Sequence, residues 1–283
     1  MIFSAELTGL TTASGILLLL AVVSLWIKRY VALGVLGLAT VVSGVAGHVT
    51  FVGALCLAGF AGLAWWYRQS GGWSAWAALV IASAVFFLHL VPGITGWPIL
   101  GPMRIGAGAE YGKWLSVDKV GAGVLLLAVA LPDLRSRADW RVMLVQSWPW
   151  IVGVPLLLAI LAVLSGSLHL DVTPVAAFWP WAVVNLLSVC VVEEALFRGL
   201  IQSRLVHTCR DRRLPALAGV VLAALLFGLA HAAGGVALVV FATLAGLGYG
   251  FARHVTGRIE AAILVHFALN AVHFSFLTYP VPA

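Results

Sequence analysis

The segment Asn185-Leu-Leu-Ser-Val-Cys-Val-Val-Glu193-Glu194-Ala-Leu-Phe-Arg198-Gly-Leu-Ile-Gln202 places two adjacent acids and an arginine inside one apolar run, 178–204. A charge at the centre of a bilayer costs about 2.5–3.5 kcal/mol on insertion scales. Two neighbouring acids therefore need protein-lined surroundings, and at least one should hold its proton more tightly than a solvated carboxyl does. The composition says what those surroundings are. Of 283 residues, 63% are hydrophobic and 9% are charged, whereas soluble domains carry about 25% charged residues. Mean hydropathy is +1.09. A water-soluble globule and an intrinsically disordered chain are both excluded. The expectation is an all-α, polytopic transmembrane helical bundle of about 8–10 spans with a central polar cavity.

Apolar runs predict spans near 7–27, 31–47, 49–67, 73–91, 119–132, 148–165, 178–204, 214–232, 236–253 and 259–278. Val31 to Tyr67 is too long for one crossing and breaks at Gly44–Thr50, where Gly, His and Thr cluster. The run at 119–132 is the shortest. The first run lacks a basic stretch before it and is long enough to anchor, so no cleavable signal is expected. Lys28 and Arg29, Arg68, Arg135, Arg137 and Arg141, the cluster Arg204 to Arg213, and Arg253 with Arg258 all fall on one side of a ten-span chain. That side is expected to be cytoplasmic, with both termini and the loop 92–118 outside.

The net charge of +6 is distributed as these short loop clusters. They read as topology signals, not as a nucleic-acid face, so lipid is the expected partner and nucleic acid is not. Thirteen Arg against three Lys fit a GC-rich bacterial genome, and a bacterial inner membrane is the expected location. Cys56, Cys190 and Cys209 have no paired spacing, which argues against a disulfide framework or a zinc knuckle. Trp65, Trp66, Trp73, Trp76, Trp148, Trp150, Trp179 and Trp181 stand at run ends, as in an interfacial belt.

Eight of the ten acids lie in loops or near span ends; Glu193 and Glu194 do not. Arg198 is four residues beyond Glu194 and five beyond Glu193. On an α-helix the shorter spacing makes Glu194 its ion-pair partner. Glu193, about 100° around the wheel, is left to face a cavity. His231 ends the eighth run, with Phe227 one turn before it, and His266 lies inside the tenth, with Asn270 one turn after it. Counted from the Arg210–Arg213 loop, Glu193 is 17 residues before and His231 18 after, so a helical hairpin brings them to one height. His273 follows on a similar face as a supporting or interfacial residue, and His48, His89, His169, His207 and His254 sit at run ends or in loops.

A carboxylate in an apolar cavity is a usable general base. Histidine can share its proton or polarise a carbonyl, and asparagine can donate to an oxyanion. Together they suit attack of water on an amide. There is no G-x-S-x-G and no H-E-x-x-H. Glu193, His231 and His266 could form a Glu/His/His zinc set, which stands as the mechanistic alternative to a metal-free site without cofactor.

Three motifs carry a resemblance. Glu193-Glu194-Ala-Leu-Phe-Arg198, Phe227-Gly-Leu-Ala-His231 and His266-Phe-Ala-Leu-Asn270 resemble, in order and spacing, the E-E-x-x-x-R, F-x-x-x-H and H-x-x-x-N motifs of the CAAX protease and bacteriocin-processing (CPBP) family of intramembrane glutamic endopeptidases, the type II CAAX prenyl protease group. The likeness covers about 180–277, and His89-Leu-Val-Pro-Gly93 with Val117-Asp-Lys119 faintly resembles bacterial members. It implies a helical bundle with Glu193 activating water and His231 assisting. It implies His266 and Asn270 at the oxyanion, and Glu194, Arg198 and Phe227 in support. The substrate would be a membrane protein or peptide. Residues 1–118 are then expected to be scaffold helices and 119–283 the protease core. A transporter or channel using Glu193, Glu194 and Arg198 as a proton relay is the competing reading. No internal repeat favours it. A third reading is a scaffold whose charges only register helices.

Overall fold

The computed structural model describes residues 9–104, 110–130, 140–173, 175–212 and 214–278. In chain order the elements are α1 (Gly9–Ser24), α2 (Arg29–Val45), α3 (Phe51–Ser70), α4 (Trp73–Phe87), β1 (Trp97–Arg104), β2 (Glu110–Leu115), α5 (Val117–Leu125), α6 (Trp140–Leu164), α7 (Ala176–Asp211), α8 (Ala216–Leu229), α9 (Gly235–Thr256) and α10 (Ile259–Phe276). Each of the ten predicted apolar runs overlaps one of the ten helices described, with α6 and α7 extending well beyond the predicted bounds. Five segments, α3, α6, α7, Ala232–Thr256 and α10, are long and apolar enough to cross a membrane. The protein is an all-α, integral, multi-pass membrane protein. Only 22% of the most apolar window of α3 and of α6 is buried. Leu55, Val152, Leu156 and Ile160 are among the apolar side chains left exposed, as lipid contact requires.

The break expected at Gly44–Thr50 falls between α2 and α3, where the Thr50 hydroxyl accepts from the Gly53 N–H and caps α3. Gly71 closes α3 in the left-handed conformation at φ 57°, which a Cβ would disfavour. The loop expected at 92–118 instead contains the two-stranded sheet β1–β2. Trp97, Ile99, Leu100, Tyr111 and Leu115 bury their side chains there, and Gly112 and Trp114 are exposed. Glu6, Asp133, Asp139, Arg135, Arg137 and Arg213 lie outside the described residues.

The chain forms two compact units. The first comprises Met1–Pro102, Gly112–Leu134 and Leu187–Leu196; the second comprises Met103–Tyr111, Arg135–Leu186 and Phe197–Ala283. In the first, α1 packs on α2 and α3 on α4, while α5 touches all four and the turn Val191–Glu194. Every α5 residue except Lys119 is buried. Apart from Asp118 and Lys119 its residues are apolar or glycine, as a helix enclosed on nearly all sides requires. Close approach depends on Gly123: a Cβ there would stand 2.8–3.0 Å from the Val192 side chain. A π-helical turn, Leu126–Ala130, continues α5.

In the second unit α10 packs against α6, α9 and the start of α7, and α8 packs against α9 and the Ser203–Asp211 end of α7. Trp181 is 1% exposed and stacks on Phe274 with centroids 4.1 Å apart. It is therefore a core residue and not the belt residue expected, because α7 turns its aromatic face inward there. Trp65, Trp66, Trp73, Trp148 and Trp179 are exposed, as a belt predicts. Arg258 and Glu260, both 4% exposed, pair through two contacts of 3.0 and 3.3 Å at the start of α10.

Candidate active site

Helix α7 is not uniform. The α-helical turn Val191–Glu194 is flanked by π-helical stretches Leu186–Cys190 and Ala195–Gln202. Such wide turns recur at functional sites because they displace side chains from regular α-helical faces. Val191, Val192 and Glu194 are buried, with Glu194 fully enclosed. Glu193 is 14% exposed, and its Oε1 accepts a hydrogen bond of 2.9 Å from Lys119 Nζ. Lys119 is therefore a cation in direct contact with Glu193, reaching it from α5.

The second unit assembles the other motifs. His231 follows the end of α8, at φ −99°, and donates from Nδ1 to the Phe227 carbonyl at 2.8 Å. In the neutral ring that bond leaves the lone pair on Nε2. Phe227 lies one turn before His231, with ring centroids 4.7 Å apart, and meets His266 edge-on at 5.9 Å. His266, 4% exposed, stacks on the buried Tyr249 ring at 4.6 Å and 13°. One turn on, Asn270 donates from Nδ2 to Asn185 Oδ1 at 3.2 Å. Phe227, His231, Tyr249, His266, Asn270 and His273 line one cavity of about 360 Å³.

Arg198 is fully buried in the second unit. Its guanidinium donates to the Gly246 carbonyl at 3.0 Å and stands 4.8 Å from the Phe227 ring centroid and 5.4 Å from that of Tyr249. The Arg198 carbonyl in turn accepts from Arg253 Nε at 3.0 Å. Arg198 lies within a π-helical stretch, so the α-helical spacing used to rank its partners does not apply there.

His231, His266, Asn270 and Phe227 thus meet on one cavity of the second unit, while Glu193 and Glu194 lie in the first. Three side chains escaped the sequence reading: Lys119, Tyr249 and Asn185. Lys119 carried a signal in Val117-Asp-Lys119, and Asn185 opens the deciding segment. Tyr249 carried one in Gly246-Leu-Gly-Tyr249-Gly, a stretch similar to the family's approach to its third motif. Among the described residues no group of three or more His, Cys, Asp or Glu side chains is arranged to hold a metal ion.

Residues 175–272 match the family model described as type II CAAX prenyl endopeptidase Rce1-like. That segment contains all three motifs, from Glu193 to Asn270. No curated protein and no solved structure matches the chain. Helices α7 to α10 of this multi-pass membrane protein thus carry a segment that is similar to the Rce1-like type II CAAX prenyl endopeptidases, consistent with the CPBP family that its motifs resemble.

Proposed function

We propose that the protein is an intramembrane endopeptidase that hydrolyses a peptide bond of a membrane-associated protein with water activated by Glu193. The observation that carries this reading is the cavity shared by His231, His266 and Asn270, on a segment matched by an endopeptidase family. Each step needs one group. Glu193 takes a proton from water as the oxygen attacks the scissile carbonyl carbon. His231, whose Nε2 carries the lone pair, assists as the acid–base partner. Asn270 and His266 donate to the developing oxyanion, Asn270 from an amide that Asn185 orients. The proton then passes to the leaving nitrogen as the C–N bond breaks, and the products leave as a carboxylate and an ammonium, which together carry both protons of the water. Glu194 and Arg198 act as supporting residues. The largely apolar cavity suits a substrate presented from the bilayer, and a bacterial inner membrane is the proposed location.

Membranes holding the wild-type chain or Glu193→Gln, compared by mass spectrometry of protein N-termini, test this. New N-termini are expected only with the wild type, with both chains present in equal amount. Identical N-termini from the two membranes would refute the reading.

A further inference from the structure

Ion pairs buried beside a proposed base act on its chemistry as well as on folding. Lys119 and Glu193 are both in the first unit, and their side chains are 21% and 14% exposed. Lys119 Nζ also stands 5.7 Å from the Phe87 ring centroid at the end of α4, so an aromatic face and a carboxylate hold the ammonium together. Lys119 has a fixed root. The preceding residue, Asp118, is 1% exposed and accepts from the Lys119 backbone N–H at 2.6 Å and from the Ser116 hydroxyl. His89 Nδ1 lies 2.9 and 3.1 Å from the two Asp118 oxygens. His89 has φ 57°, the one described non-glycine residue with positive φ. A residue of that kind is held there by its surroundings at some cost. Asp118 and Lys119 leave the helix about 100° apart, so one anchors the first turn of α5 to His89 while the other reaches Glu193.

We propose that Lys119 is a positioning residue of the Glu193 centre, holding that carboxylate ionised and aimed, and that the Asp118–His89 pair locks the turn that carries it. This rests on the reading of Glu193 as the base for water. An apolar site would otherwise favour a protonated Glu193, which cannot take a proton from water. The ammonium keeps the base ionised. Once Glu193 has taken the proton, the same cation favours its release to the leaving nitrogen. Fixing Oε1 also restricts the orientation of the whole carboxylate. Lys113 of β2 and Cys190 of α7 belong to the same electrostatic cluster. Burial and the Lys119 charge lower Lys113 to about 8, while Glu193 and Cys190 raise it.

The test uses the full chain in lipid nanodiscs, with Lys119→Gln, Lys119→Met, Lys119→Arg and Glu193→Gln. Infrared titration follows the protonated-carboxyl band that Glu193→Gln removes. In parallel, the pH profile of cleavage is read on the N-termini that Glu193→Gln abolishes. Both neutral variants should move the band and the acid limb of cleavage upward by about 1–3 pH units, the effect of losing a nearby opposite charge. Lys119→Arg should keep both near wild type. A folded neutral variant with an unmoved band overturns the proposal. So does loss of the cooperative melting transition in both neutral variants while Lys119→Arg keeps it, which would make the cation purely structural. If Glu193→Gln still cleaves, the water-activation reading fails, yet the band still reports the ion pair on its own.

Discussion

His231 donates its Nδ1 hydrogen to the carbonyl of Phe227, one turn earlier, at 2.8 Å. The bond ties the histidine to the C-terminal end of α8 and chooses its tautomer. Nitrogen-15 NMR of the neutral imidazole should therefore show protonated Nδ1 and bare Nε2. His231→Ala should lower the cleavage rate by about 10²–10⁴, the range of a lost acid–base partner. Wild-type cleavage in that variant would remove His231 from the chemistry.

Asn270 donates to Asn185 across 3.2 Å, from α10 to α7. Asn270→Ala should cost about 10²–10³ in kcat as a lost oxyanion donor. Asn185→Ala removes only the group that orients it, and a single neutral hydrogen bond is worth about 1 kcal/mol, roughly fivefold. The measurement is kcat and KM for both variants on a substrate found by N-terminal mapping. Equal losses in kcat would mean that Asn185 acts directly.

The helices were legible because a membrane chain spells them in composition. A run long enough to span, punctuated by Gly, His and Thr near Gly44–Thr50, leaves few alternatives. The three motifs were legible because ionisable groups are costly in lipid and stand out. Partners were not legible. Lys119 is 74 positions from Glu193, and nothing in local periodicity links them. The sheet between α4 and α5 was missed because glycine and proline interrupt its short strands, and they read as loop. Arg198 shows the limit of spacing rules, since the i,i+4 ranking presumes an α-helix and the segment is π-helical.

Gly123 of α5 and Val192, next to Glu193, sit so close that a methyl group at Gly123 would meet Val192 Cβ, Cγ1 and Cγ2 at 2.8–3.0 Å. A β-branched side chain has little freedom to move aside. Gly123→Ala should lower stability by about 1–3 kcal/mol and displace the Glu193 turn. Val192→Ala, added to it, should restore part of the melting temperature and of the cleavage rate. If the double variant is no better than the sum of the singles, the contact is not what limits the packing.

Arg198 is fully buried and donates to the Gly246 carbonyl at 3.0 Å beneath two aromatic faces. A hydrogen bond to a charged group is worth about 1.5–3 kcal/mol, and a desolvated cation–π contact adds up to about 2. Arg198→Ala should therefore lose folded protein in thermal melts. Arg198→Lys keeps the charge but not the planar fork and should fall between. An Arg198→Ala chain that melts like the wild type but does not cleave would move Arg198 from support to chemistry.

Lys113 gives a pH test that needs no substrate. Burial first, then the Lys119 cation, lower it from 10.5 to about 8, against the raising pull of Glu193 and Cys190. The sign follows from proton counting. Between about 8 and 10.5 the unfolded chain binds more protons at this site than the folded chain, so its contribution to stability improves as pH rises through that window. Below 8 the whole penalty of holding the charge is present. The free amine is also the reactive form, so acetic anhydride should modify Lys113 ahead of the exposed Lys28 near pH 8. Peptide mapping of the full chain in nanodiscs reads the two rates. Glu193→Gln removes an attractive charge and should speed modification of Lys113; Lys119→Gln removes a repulsive one and should slow it. Rates that ignore both substitutions would show that the three side chains do not share one electrostatic environment.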